Sequence, residues 1–193
     1  LALLLQEYKN NKFDNLREFL EAIQHECPHQ FFKDGLRASE LKVDFSLDKV
    51  IIREKQNFAT RLAKLLLQAV SDNKLRHRAL QDFMLRNDSV TVAVEVPVYI
   101  DNLDIEYMQE ELKFKIPIKL DKVLTGHIDA LQLRNGAVHI LDYKPQERDK
   151  RRIKPVTQLT LYALMLSRLT GLRLYDFKCA WFDENAYYEF FPL

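Results

Sequence analysis

Asp142-Tyr143-Lys144 closes the apolar run Val138-His139-Ile140-Leu141 and carries the residue types best suited to chemistry in this chain. In a β-strand, residues i and i+2 leave the same face, so a carboxylate and an ammonium emerge side by side where the strand ends. Upstream, in Gly126-His127-Ile128-Asp129, the same alternation aims His127 and Asp129 at one face of the preceding strand. Two acids and a lysine on neighbouring strand ends suit a divalent cation and an attacking water, the equipment for hydrolysing a phosphodiester. Each group also has a plainer reading. An exposed Asp-x-Lys pair is worth little, His127 is a packing histidine, and Asp129 is a solvent-facing acid on a hairpin.

Glu95 interrupts the apolar stretch Val94-Glu95-Val96-Pro97. An acid there is costly to bury unless paired, metal-bound or protonated, and Pro97 confines the strand to an edge or a bulge. Gln158 and Tyr162 share a helix face at i, i+4 beside the apolar stripe of Leu159, Ala163 and Leu166. That helix starts soon after the Asp-x-Lys strand and must pack back beside it. The loop between them holds Arg148, Lys150, Arg151, Arg152 and Lys154, either a solvated loop or a set of phosphate contacts. His25-Glu26-Cys27-Pro28-His29 is rich in ligand types, but Pro28 breaks regular geometry and no second half-site accompanies it.

Periodicity supplies the elements that must position these groups. Phe13, Leu16, Phe19, Leu20 and Ile23 recur at helical spacing, and further helices are expected over 55–70 and 73–85. Residues 30–52 are irregular, with Phe31-Phe32 and Gly35 suggesting a loop and a short strand near Val50-Ile51-Ile52. Strands are predicted at 90–100, 123–133 and 137–143, the last two joined by the turn Arg134-Asn135-Gly136. Residues 101–120, punctuated by Asp101-Asn102 and Pro117, read as a loop or irregular extension. A helix over 156–169 stops at Thr170-Gly171, and strands follow at 174–182 and 187–191. The class is therefore α/β, a mixed sheet core flanked by helices. Residues 1–87 form a helical segment packed on the core rather than an independent domain, and 88–193 form the core itself.

Composition bounds the rest. A length of 193 residues suits one compact domain, and 47% hydrophobic content with twelve Phe and eight Tyr can fill its core. Four glycines are too few for a Gly-repeat architecture. A net charge of +1 gives no general attraction for polyanions, so any such site must be a local patch. Two cysteines without CxxC spacing, Cys27 and Cys179, fit a reduced, cytoplasmic protein and leave no four-cysteine zinc or iron–sulfur centre. No apolar run approaches the roughly 18 residues that span a bilayer, so no membrane partner is expected. Leu1-Ala2-Leu3-Leu4-Leu5 is too short for a secretory apolar region, and a first residue other than Met suggests a trimmed chain or a piece of something longer.

Glu95 in a first core strand, Gly126-His127-Ile128-Asp129, Leu141-Asp142-Tyr143-Lys144 and Gln158-Leu159-Thr160-Leu161-Tyr162 together resemble the PD-(D/E)XK nuclease superfamily, specifically its RecB-like exonuclease branch. The likeness spans roughly residues 88–183. It implies a restriction-endonuclease-like core and exonucleolytic hydrolysis of DNA in repair, recombination or defence, with a helicase or another repair or defence protein as partner. It further implies that Asp129, Asp142, the Tyr143 backbone carbonyl and Glu95 hold Mg²⁺ or Mn²⁺. Lys144 would orient the attacking water and stabilise developing charge, and Gln158 and Tyr162 would position the nucleic-acid backbone or the metal-site residues. Many members of the branch carry a histidine on an early helix. The 55–70 helix has none, and the nearest candidate, His77, lies in the next helix between Arg76 and Arg78, which leaves the fourth ligand open, with His127 as an alternative stand-in. The iron–sulfur subgroup needs four cysteines. The alternatives are a catalytically silent nucleic-acid-binding or scaffold module on this fold, an RNA-directed nuclease and a plain interaction domain. An intact Asp129, Asp142 and Lys144 argue against the silent module.

Overall fold

A computed structural model describes residues 11–41, 43, 45, 50–113, 115, 116, 118–145 and 153–192. In chain order its regular elements are α1 (Asp14–Ala22), α2 (His29–Asp34), β1 (Leu36–Arg37), β2 (Arg53–Lys55), α3 (Phe58–Ala69), α4 (Asn73–Asn87), β3 (Thr91–Ile100), α5 (Asn102–Leu112), β4 (Leu124–Arg134), β5 (Ala137–Tyr143), α6 (Ile153–Thr170), β6 (Phe177–Phe182) and β7 (Tyr187–Phe190). Arg148, Lys150, Arg151, Arg152 and Pro117 lie outside the described residues.

The β4–β5 hairpin turns through Asn135 and Gly136 at φ 52° and 72°, the left-handed pair that a two-residue turn of the I′ type requires. Around it grows a seven-stranded mixed sheet in the order β1-β4-β5-β6-β7-β2, with β3 paired to β4. The β3–β4, β4–β5, β6–β7 and β7–β2 pairs are antiparallel, while β5–β6 and β1–β4 are parallel. Parallel neighbours need a crossover, and α6 supplies the one from β5 to β6.

Alternation along β5 sends Ile140 to one face and Leu141 and Tyr143 to the other, so the sheet is covered on both sides. On the first face α6 packs against β3, β5 and β6, with α1 behind it. Its residues from Pro155 to Leu166 are all buried. Each fully buried leucine among them contributes about 1.5–3 kcal/mol over exposure, which fixes Gln158 and Tyr162 in place. On the second face α3 and α4 set Ala59, Leu62, Leu80 and Met84 against Leu141, Tyr143, Phe182 and Tyr187.

Three segments differ from expectation. Residues 102–112 form α5 rather than a loop, because Asp101 is a helix cap rather than a turn residue. Its carboxylate accepts the Asp104 N–H at 2.9 Å, and the Asp104 carboxylate accepts the Asp101 N–H at 3.1 Å. This reciprocal pairing satisfies donors that a helix start leaves open. Residues 29–34 form the short α2 where Phe31-Phe32 suggested a loop, and the strand expected near 50–52 falls at β2.

Gly126 sets the distance between β4 and α6. A Cβ added there would lie 2.3 Å from Cε1 of Tyr162, whose ring is itself buried. Gly126→Ala is expected to cost about 1–3 kcal/mol through overpacking, read as a lowered urea midpoint. An unchanged midpoint would mean that the Tyr162 ring has room to yield.

Candidate active site

The β4–β5 ladder ends at the pair Ala130↔Leu141. One residue further, the Tyr143 N–H donates to Asp129 Oδ2 at 2.7 Å. A side-chain carboxylate thus takes the place of the next backbone carbonyl, and the two strands part at this point. Asp142 sits between Leu141 and Tyr143, so its carboxylate points to the α6 face of the sheet. It is 2% exposed, with Lys144 Nζ 2.9 Å from its Oδ2, the i, i+2 pair that strand alternation predicts. Burial pushes the Asp142 carboxyl up, and the neighbouring Asp129 pushes it further. Lys144 opposes both, and the balance lies at about 7.

The second wall comes from α4. His77 Nε2 stands 3.1 Å from Asp129 Oδ1 and 3.9 Å from Glu95 Oε1. His77, Glu95 and Asp129 present ligand atoms that all lie within 4.8 Å of one another. The hydrogen bond to Asp129 raises the His77 pKa against the opposing effect of burial, with the charges of Asp129, Glu95 and Asp142 adding to the rise. One turn along, Gln81 donates to Glu95 Oε1 and, at 3.3 Å, to the Asp129 carbonyl.

Glu95 reaches this cluster through a backbone irregularity. Its φ of 51° is left-handed in the middle of β3, a conformation that costs a non-glycine residue about 1 kcal/mol or more. A regular strand would send Val94 and Val96 to one face. Here Val96 joins the α6 core while Val94 packs with the α3–α4 cluster. The kink turns the Glu95 carboxylate out of the strand and toward His77, where Gln81 holds it.

Tyr162 lies over Gly126 and receives a hydrogen bond from Gln158 Nε2 at 2.9 Å. Burial raises its phenol pKa first, and the Asp142 charge adds to that. Gln158 Oε1 is buried and has no hydrogen-bond partner among the described residues. Lys154 is exposed in the first turn of α6. The Tyr143 carbonyl follows the amide tied to Asp129 and precedes Lys144 on the same chain segment.

His127 is not among the three residues whose ligand atoms converge. The His127 ring lies 4.9 Å from the ring of Phe32 in α2, and residues two apart in a strand are separated by about 6.6 Å. The imidazole that reaches Asp129 is His77, from the helix after the one where a histidine was sought. Gln81 was missed with it. The available signal was their i, i+4 spacing on α4, which puts two polar groups on one stripe.

Two carboxylates and an imidazole, with the Asp142 carboxylate adjoining, make a donor set suited to an oxygen-preferring or borderline divalent cation. Asp142 is buried beside Asp129, and such a cation would offset both the burial of its charge and the repulsion between the two carboxylates. The residues present therefore fit a divalent metal ion.

A family model of the PD-(D/E)XK nuclease superfamily matches residues 23–185. The chain belongs to that superfamily, whose members are nucleases and generally use divalent metal ions. The match begins well before residue 88 and includes α3 and α4. The mixed sheet flanked by helices agrees with a restriction-endonuclease-like fold. Among solved structures, one titled "Crystal structure of SSO0001" is similar at 15% identity and a TM-score of 0.38, over 68% of this chain and 65% of that one. This chain thus spans less than two thirds of that protein's length. No curated protein sequence matches it. None of the described helices is long and apolar enough to cross a membrane.

Two outcomes check this geometry. His77→Ala is expected to weaken Mn²⁺ binding about 10- to 100-fold by calorimetry, while His127→Ala leaves it near wild type; the reverse ranking would return the ligand role to His127. The second concerns Asp142 in the metal-free protein. Its folded pKa of about 7 exceeds the unfolded value of 3.8, so the folded state binds the extra proton. Stability therefore falls as pH rises from about 4 to about 7. Asp142→Asn removes that loss and should stabilise the protein by on the order of 2 kcal/mol at pH 8 but little at pH 4. A Tm difference that does not change with pH would contradict the raised carboxyl.

Proposed function

We propose that the protein is a metal-dependent deoxyribonuclease of the RecB-like kind, acting exonucleolytically in repair, recombination or defence beside a helicase or another protein that supplies DNA ends. One observation carries the nuclease chemistry: Asp129, Asp142 and Lys144 meet where β4 and β5 part, with His77 and Glu95 facing them from α4 and β3. The exonucleolytic DNA reading rests on the motif resemblance to the branch.

Asp129, Glu95, His77, Asp142 and the Tyr143 carbonyl are the groups that would hold Mg²⁺ or Mn²⁺. Once bound, either ion supplies Lewis acidity and lowers the pKa of water toward neutrality. Lys144 is about a quarter exposed, so its ammonium can serve both Asp142 and a phosphoryl oxygen on which charge develops. Gln158 holds the Tyr162 hydroxyl, and Tyr162 in turn packs on Gly126 and shapes the α6 side of the fork. The helix α4 acts as part of the catalytic body rather than as an appendage, since it brings His77 and Gln81 to the cluster. Arg148, Lys150, Arg151, Arg152 and Lys154 follow the catalytic strand in sequence and are assigned to phosphate contacts.

End-labelled single- and double-stranded DNA and RNA, incubated with Mg²⁺, Mn²⁺ or EDTA, test this reading. Metal-dependent shortening of DNA from an end is expected, with Asp142→Ala and Lys144→Ala each lowering kcat by about 10²-fold or more. Equal signal from wild type and both variants would sink it. Binding without cleavage would favour the silent module, and selective loss of RNA the RNA-directed enzyme.

A further inference from the structure

We propose that Arg78 binds the phosphate next to the scissile one and so adds a contact to the polynucleotide strand from the α4 side; this rests on the nuclease reading above and adds a residue to it. A cleft of about 540 Å³ opens beside the candidate metal ligands, with His77, Arg78, Gln81 and the acidic Asp82 of α4 on one side and Val94, Glu95 and Pro145 on the other. A phosphodiester entering it carries negative charge toward Glu95, Asp129 and Asp142. A bound divalent ion offsets that repulsion at the reacting phosphate only, and its neighbours on the strand need another cation.

Among the described residues, two cations near the cleft are engaged. Lys144 is paired with Asp142. Arg76 is buried and turns its guanidinium back on the carbonyls of Val70 and Ser71, where it closes the end of α3. Arg78 is exposed, lines the cleft, and has no carboxylate at ion-pair distance among the described residues. Its guanidinium therefore keeps its forked donors for a two-pronged bond to phosphate. Successive residues on a helix point about 100° apart, so His77 faces Asp129 while Arg78 faces the adjoining rim. A solvated arginine with no role gains nothing from lining the same cleft as the metal-ligating groups.

The cleft also gives the strand a direction. A second cleft shares Val94 with the first and is lined by Arg86. Arg86 lies eight residues beyond Arg78, roughly 12 Å along α4. A strand leaving the centre past Arg78 runs between α4 and β3 toward Arg86.

The test uses a fluorescent 20-nucleotide single strand. Binding is read by anisotropy in Ca²⁺, and cleavage is read in Mg²⁺ or Mn²⁺, for wild type, Arg78→Ala and Arg78→Lys. For Arg78→Ala we expect Kd and KM to rise about tenfold while kcat changes by less than about threefold. The slope of log affinity against log salt should fall by about 0.7, one phosphate contact on a single strand. Arg78→Lys should recover most of the salt slope and part of the affinity. Wild-type Kd and salt slope in Arg78→Ala overturn the proposal, as does a fall in kcat equal to the fall in kcat/KM. Arg78-dependent binding without cleavage by wild type would overturn the nuclease reading and leave the phosphate contact standing. No binding by wild type would overturn both.

Discussion

The centre depends on one hydrogen bond, from the Tyr143 amide to the Asp129 carboxylate. An antiparallel ladder normally satisfies each amide with a carbonyl from across the strand. Here a side chain accepts the bond just past the last backbone pair, and β5 is free to leave β4 without a buried donor going unpaired. That substitution opens the gap at which Asp142 and Lys144 emerge. It also spends one oxygen of Asp129 on the fold and leaves the other facing His77. The same carboxylate holds the scaffold open and serves the site.

The surroundings of that bond are expensive for the fold. Two acids share a pocket in which one is almost fully buried, and Glu95 occupies a left-handed conformation inside a strand. These are departures that stability alone would remove. The two-sided core compensates. The buried length of α6 on one face and the α3–α4 pair on the other lock the sheet, so the strain stays where β3, β4 and β5 meet.

Much of this was legible in the sequence, for identifiable reasons. Alternation located β3, β4 and β5, and the Asn135-Gly136 pair fixed their hairpin. Together these put Asp142 beside Lys144 and Asp129 one strand away. The missed α5 turned on Asp101-Asn102, a pair whose chemistry suits a turn and a helix cap equally, and only the Asp104 partner three residues later separates them. β1 is two residues long and leaves no periodic trace. His77 was hidden differently. Its helix is polar for most of its length, so a half-buried imidazole among arginines reads as a solvated face until the fold brings Asp129 beneath it. His127 seemed the better ligand because period-2 reasoning gives the face of a residue but not its position along the strand.

β3 has a further exposure. Among the described strands it pairs with β4 alone, so its outer edge is open, and an open edge invites pairing with another chain and so aggregation. The Glu95 kink breaks the flat run of backbone groups in mid-strand. It also places a charged side chain there, and Pro97 two residues on withholds an amide donor. The irregularity that delivers a carboxylate to the candidate metal site therefore also caps the sheet against self-assembly. Straightening it would draw the carboxylate away from His77 and lengthen the open edge.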